Sequence, residues 1–409
     1  MKHSVSVTGI GVVSPLGLNS QTLFSALMNG QSGLRLLSAE DSNSITTVAG
    51  TIDFDSSPWF TQTQLSGVDR VSQFAVAAAE MAVSDSFVQR EDLAAAGCYM
   101  GCGMGGAVSL EYAYAKHFSE NPRLSPLTVV STMTNAAAAN VSIRFGIRGP
   151  VLTYSIACAS SSVAIGEAYR AIASGSIDRA LAGGAESLLV SGVIRAWQSM
   201  RTLARVDVEK PETSCRPFSN DRSGLVLAEG SAVLVLERTE LAKARGARIY
   251  AEIVGYGLSC DANHLAKPDQ VGQVLALRSA LREANLSPTD IGYVNAHGTA
   301  TKIGDLVESA SLHEVWQQDL KLVKVSSTKS MHGHMLGAAG ALESAITILS
   351  LYHRQIPPNA FCQLQDPECN LPLVVGSGIE APNLTAALNN SFAFGGTNAV
   401  LAFSRSRQV

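Results

Sequence analysis

Apolar and polar positions alternate over Ser4–Ile10, the period-two pattern of a strand, and the run stops at the turn Ser14-Pro15-Leu16-Gly17. A helix is expected from about Ser20 to Asn29, closed by Gly30. Further on, two stretches repeat one theme. Cys98-Tyr99-Met100 reads as a strand running into the glycine loop Gly101–Gly106, and Ile291–Asn295 as one running into Ala296-His297-Gly298-Thr299. Val151–Tyr154 leads through Cys158 into an Ala/Ser-rich helix from about Ser160 to Ser174. Lys324–Ser326 leads through Lys329 and His334 into a helix from about Gly340 to Tyr352. Gly224–Leu236 and Ser391–Phe403 each read as two short strands around a glycine turn.

Strands alternating with small-residue helices predict βαβ units on largely parallel sheets. Ala157–Ala173 is apolar on most faces, which places it between two sheets. The expectation is an α/β fold, duplicated in α/β/α/β/α layers, with halves 1–250 and 251–409. The low charged fraction, 16% against 46% hydrophobic, suits large buried sheets and a surface partly covered by another subunit. A net charge of −4 gives no electrostatic reason to expect nucleic acid or an anionic membrane as partner. Seven cysteines with no C-x-x-C pair read as free thiols. Met1–Gly11 has no long apolar stretch and no apolar run approaches ~20 residues, so a cytoplasmic chain is expected.

Cys158 stands between a strand and a helix among small neighbours. The positive end of a helix is expected to depress its pKa and favour a thiolate able to take an acyl group from a thioester. The bland alternative is a small buried core residue, and for the other six cysteines that reading holds. His297 and His334 lie in glycine-flanked turns at matching places of the repeat, with Lys329 beside the second. A lone histidine is usually structural. Two of them facing Cys158 by pseudo-symmetry fit a reaction in which a malonyl thioester loses carbon dioxide: the enolate oxygen needs two N–H donors. Lys329 would set the histidines' charge balance. A second oxyanion hole is expected from backbone N–H groups at Cys158 and the Phe394-Gly395-Gly396 turn.

Together, Ala157-Cys158 with its serine-rich helix, Asn295–Thr301, Ser327–His334 with Leu336–Gly340, Arg216–Phe218 through Glu229-Gly230, and Phe394–Asn398 resemble the β-ketoacyl-acyl carrier protein synthases of the elongating class. The resemblance covers essentially the whole chain and implies the thiolase-like fold. It implies Cys158 as nucleophile with His297, Lys329 and His334, and no cofactor or metal. Thr299 and Thr301 would contact the substrate's pantetheine, and Phe394 would gate the site and help form the oxyanion hole. Met104 and Trp197 would line an acyl pocket reaching the dimer interface, and Arg201 would meet the carrier protein. Asp305 and Glu308 look structural. The implied partners are an acyl carrier protein bearing acyl or malonyl phosphopantetheine and a second subunit, identical or homologous.

Some positions depart from the pattern. His332 stands where threonine is common, Ala393 where glycine precedes the gating phenylalanine, and Ser66-Gly67 where many fatty-acid enzymes carry basic residues. Ser223, Leu225 and Ala228 differ from the commoner Gly, Phe and Gly around Glu229. These departures open a specialised polyene or type II polyketide pathway beside bulk fatty acid synthesis. In such systems the active synthase often pairs with an inactive homologue, and this chain keeps the active set. Three rival readings are weaker. Gly101–Gly106 matches G-x-G-x-x-G, but no acidic-ended strand follows about 20 residues on, as a dinucleotide site requires. A zinc site at His297, His332 and His334 has Lys329 against it. A thiolase would need a second cysteine in the Phe394 turn, and neither Cys362 nor Cys369 lies there.

Overall fold

The computed structural model describes residues 3–37, 46–120 and 123–406, so Met1 and Lys2 of the N-terminal stretch lie outside the described residues. Ten strands form one continuous sheet. They are β1 (Val5–Val13), β2 (Gly97–Gly101), β3 (Val151–Tyr154), β4 (Arg179–Glu186), β5 (Gly230–Arg238), β6 (Ala251–Cys260), β7 (Tyr293–Asn295), β8 (Lys324–Ser326), β9 (Ala386–Phe392) and β10 (Thr397–Ser404). The order is β8-β7-β9-β10-β6-β1-β5-β4-β2-β3. Each half repeats the other. From the centre outward, β1-β5-β4-β2-β3 and β6-β10-β9-β7-β8 each run through two antiparallel pairings and then two parallel ones. The halves meet where β1 pairs antiparallel with β6, Val5 opposite Ile253.

This duplication confirms the layered expectation and corrects two details. The sheet is mixed rather than largely parallel, because the inner strands β1-β5-β4 and β6-β10-β9 pair antiparallel and only the outer ones pair parallel. The counterpart of β9 is β4, not the short stretch Leu227–Ala228. That stretch pairs instead with Val48–Gly50 in a small side sheet, and Leu227 bridges His334. The alternation in β1 also marks no exposed face: all nine of its residues are buried.

The helices that matter are α1 (Ser20–Met28), α2 (Arg70–Ser86), α3 (Ala136–Phe145), α4 (Ser160–Ala173), α5 (Gln270–Ala284), α6 (Lys302–Trp316) and α7 (Ala339–His353). α4 and α7 pack on each other and against strands of both halves, forming the central layer. Residues Ala339–Leu351 of α7 are all buried. Each large aliphatic side chain among them, such as Leu342 or Ile346, contributes roughly 1.5–3 kcal/mol by leaving water. α2 and α3 cover the outer face of the first half, α5 and α6 that of the second. The close packing requires glycine at repeated places: a Cβ at Gly11 would sit 1.9 Å from the Ala78 oxygen of α2, and one at Gly257 1.9 Å from the Ala276 oxygen of α5. Among the described residues no helix is long and apolar enough to cross a membrane.

Candidate active site

The two central helices begin beside each other, and each is preceded by a tight 3-10 turn, Ala157–Ala159 before α4 and Leu336–Ala338 before α7. Ala157 and Leu336 both take left-handed backbone angles, φ 43° and 39°. Such angles are costly for side chains larger than glycine and mark places where the fold overrides local preference. The first turn presents Cys158. The second follows directly on His334, whose backbone N–H donates to the Val226 carbonyl at 2.7 Å and whose carbonyl accepts from Ala228 at 3.0 Å.

His334 Nε2 lies 3.0 Å from Cys158 Sγ. His297 projects from the end of β7, its ring centroid 5.5 Å from that of His334 and nearly perpendicular. The sulfur and one nitrogen of each histidine all lie within 4.8 Å of one another, in a buried cluster. Backbone N–H groups of His297 and Gly298 donate to the two oxygens of Glu308, 2.9 and 2.7 Å. Those of Phe218 and Ala300 donate to Asp305 at 2.7 and 3.1 Å. Both carboxylates thus hold the histidine loop in shape.

Lys329 is fully buried. Its ammonium donates to the His297 carbonyl at 2.6 Å and forms an ion pair with Glu343 of α7. Burial pushes Glu343 up to about 7, against the pull of Lys329. Both His297 and His334 are held well below their ordinary pKa, by burial first and by the Lys329 charge second, so both rings are neutral. The Nδ1 atoms of both rings are buried without a hydrogen-bond partner.

The expected thiolate is not the resting state. Burial pushes the Cys158 thiol up to about 11, while Lys329 and the backbone N–H groups of Phe394 and Cys158 pull the other way. The dipole expectation fails because the sulfur is enclosed: Cys158 is 5% exposed, and desolvation of its charged form outweighs the helix end. Deprotonation therefore needs a partner, and His334 Nε2 is the one in contact.

Cys158, His297, His334 and Phe394 border a cavity of about 550 Å³. Thr299 and Thr301 line it with their hydroxyl oxygens 3.1 Å apart. Arg201, Arg205, Lys267 and Lys302 stand exposed around it. The Phe394 ring stacks on Trp197, centroids 5.8 Å apart. Trp197 also packs against the apolar cluster that holds Cys158, Ile194, Leu225 and Leu336. Met104 lies outside this cavity lining; it is 43% exposed and its N–H donates to Glu186. Gly395 and Gly396 both carry left-handed backbones, φ 86° and 84°, so the turn is made there. Ala393 closes it in a strand-like position, its N–H bonded to the Thr397 oxygen at 2.8 Å. His332 is not part of the cluster: its Nε2 contacts the Thr328 hydroxyl at 2.9 Å, which removes it from the His-x-His metal reading.

Glu343 and Glu186 escaped the sequence reading. The one available signal was a lone carboxylate inside an otherwise apolar stretch, Gly340-Ala-Leu-Glu343-Ser in one case and Leu181-Ala-Gly-Gly-Ala-Glu186 in the other.

Comparison with known proteins agrees with this geometry. Residues 2–242 match the β-ketoacyl synthase N-terminal domain, and residues 250–363 match its C-terminal domain. A relative from Vibrio harveyi, a "3-oxoacyl-[acyl-carrier-protein] synthase 2", is 39% identical over 99% of both chains. Among solved structures, a β-ketoacyl synthase from Burkholderia phymatum STM815 superposes with a TM-score of 0.92, at 34% identity over the full length of both chains. The ishigamide ketosynthase/chain length factor gives 0.91 at 31% identity, over 99% of this chain and 100% of that one.

Proposed function

This chain belongs to the β-ketoacyl synthase family, and we propose that it elongates acyl chains on a carrier protein by decarboxylating Claisen condensation. The observation that carries the reading is the 3.0 Å contact between Cys158 Sγ and a neutral His334, with His297 alongside and Lys329 behind. In the first half-reaction Cys158 Sγ attacks the acyl thioester, its proton passing to His334 Nε2. The carrier's thiol leaves and takes that proton, restoring the neutral ring. The N–H groups of Cys158 and Phe394, already aimed at the sulfur, receive the tetrahedral oxyanion. In the second, His334 is in its other neutral tautomer with the proton on Nε2, a malonyl thioester loses carbon dioxide, and N–H groups of His297 and His334 stabilise the enolate oxygen. The enolate carbon attacks the acyl-Cys158 carbonyl; the lengthened β-ketoacyl chain leaves on the carrier, and the expelled Cys158 thiolate takes a proton from solvent to return to the neutral thiol. Neutral rings suit this role, since each needs a proton to donate without adding a charge beside Lys329.

In this reading Thr299 and Thr301, which line the cavity, receive the pantetheine arm, and Phe394, stacked on Trp197, closes the acyl side. Arg201 and its basic neighbours suit an anionic carrier. A paired subunit is favoured by the edge strand β3, where Val151 and Leu152 are 37% and 44% exposed, and by exposed Tyr112 and Phe118 on the helix Ala107–Glu120. Likeness to a ketosynthase/chain length factor supports a second reading, in which that subunit is a homologue in a specialised polyketide or polyene system. The halves are taken to divide at 250/251, where β6 begins, and the site of action as the cytoplasm.

Incubation with an acyl-carrier protein and intact-mass analysis tests the first half-reaction. An acyl adduct on Cys158, absent from Cys158→Ala, is expected. No adduct from any saturated or unsaturated donor, with the natural partner subunit present, overturns the reading.

A further inference from the structure

The last residue of β4, Glu186, is a buried carboxylate that faces no cation among the described residues. Glu186 Oε2 accepts from the N–H groups of Gly103 and Gly337 at 2.8 and 2.9 Å, and Oε1 from that of Met104 at 3.0 Å. Gly103 and Met104 belong to the loop after β2. Gly337 belongs to the turn that follows His334 and opens α7, in the other half of the duplication. A side chain could not be added at either glycine without striking the carboxylate: a Cβ on Gly103 or on Gly337 would sit 2.7 Å from Oε2. The glycine loop that mimics a dinucleotide fingerprint therefore has another use. It brings backbone N–H groups onto Glu186.

We propose that Glu186 is a positioning residue, whose carboxylate ties the loop after β2 to the turn behind His334 and so holds that imidazole against Cys158. Only two residues, Met335 and Leu336, separate His334 from Gly337, and Leu336 has the strained φ of 39°. A strained turn keeps its shape only if its surroundings over-determine it. Three charge-assisted N–H bonds to one oxygen pair do so, and the two oxygens span both halves of the molecule.

The ionisable neighbours are few. The Cys102 thiol lies 4.0 Å from Oε1, Asp69 acts on that thiol from the α2 side, and Glu229, next to the strand partner Gly230, is paired with Arg70. Burial pushes Glu186 up to about 7, with its three N–H partners opposing. The clamp is present as the carboxylate above that pH and is lost as pH falls through it.

The proposal rests on the pairing of Cys158 with His334, and its test needs no carrier substrate. The probe is iodoacetamide alkylation of the full-length protein, followed at Cys158 by peptide mass against the other cysteines. Glu186→Gln, which keeps the shape and loses the charge, should alkylate Cys158 about tenfold more slowly at pH 8, because a displacement of about 1 Å in a reacting pair can cost about 100-fold. The parent's inflection near pH 7 should vanish, while exposed Cys260 reacts unchanged. General loosening would do the opposite and speed all buried cysteines. Should Glu186→Gln fail to fold, Gly103→Ala, which presses a methyl group on Oε2, puts the same question. A variant that alkylates Cys158 at the parent rate with the parent's pH dependence overturns the proposal. If instead condensation is absent but the alkylation result holds, the reaction assignment fails and the clamp stands.

Discussion

Lys329 and Glu343 form an ion pair in the interior of the molecule, neither residue exposed by more than a trace, and the same ammonium holds the carbonyl of His297. The pair joins the turn that carries one histidine to the helix at the centre of the fold. Removing one member leaves a buried charge without compensation.

Lys329→Ala is therefore expected to destabilise by about 3–5 kcal/mol, with Lys329→Ala/Glu343→Gln costing less than the single change. The folded-state pKa of Glu343 is already raised to about 7 from 4.5. Its contribution to stability is full below 4.5 and is lost as pH rises through 7. Loss of Lys329 raises that pKa further, so the variant's deficit should shrink from pH 8 to pH 5. Urea denaturation across that range measures it.

The raised thiol of Cys158 predicts slow, pH-limited reactivity. Between pH 8 and 10 alkylation at Cys158 should climb about tenfold per unit, as for a thiol still short of its pKa. A plateau in that window, meaning a thiolate already formed, contradicts it.

Phe394→Ala removes the stack on Trp197 at a half-buried position, so the stability cost should stay near 0.5–1.5 kcal/mol. The larger effect is expected on the reaction. Acyl transfer to Cys158 and elongation, measured separately, should change by different factors, since the ring stands between two approaches to one sulfur.

Gly396→Ala tests the turn behind that ring. At φ 84° an L side chain costs about 1–2 kcal/mol, and its Cβ would also lie 3.0 Å from that of Asp261. The unfolding free energy from urea denaturation should fall by that amount, and elongation should fall with Cys158 still present.

Much of this was legible in the sequence because the chain repeats itself. Strands Val151–Tyr154 and Lys324–Ser326 were bounded as observed, and both central helices to within about a residue, since each runs from a small-residue turn into an apolar stretch. Cys158, His297, Lys329 and His334 come together at the matching ends of those repeats. β4 was not legible: Arg179-Ala-Leu-Ala-Gly-Gly-Ala-Glu186 has neither alternation nor β-branched residues, and it is a strand because its neighbours on both sides require one. The carboxylates Glu186 and Glu343 were hidden for a related reason. Their partners lie on other elements, and only the packed structure brings them within bonding distance. The charge state of Cys158 was misjudged because a helix end is visible in a sequence and the depth of burial around it is not.

The central claim is condensation at Cys158 with loss of carbon dioxide. Its most direct measurement is intact mass spectrometry of carrier-bound products after the protein meets acyl-carrier and malonyl-carrier together, with the donor chain varied. The account predicts a carrier-bound β-ketoacyl chain two carbons longer than the donor, lost in Cys158→Ala. In His334→Ala, malonyl decarboxylation should be impaired by about 100-fold or more. Elongation by Cys158→Ala, or a folded protein that takes up acyl groups with its partner subunit present and never lengthens them, would contradict it.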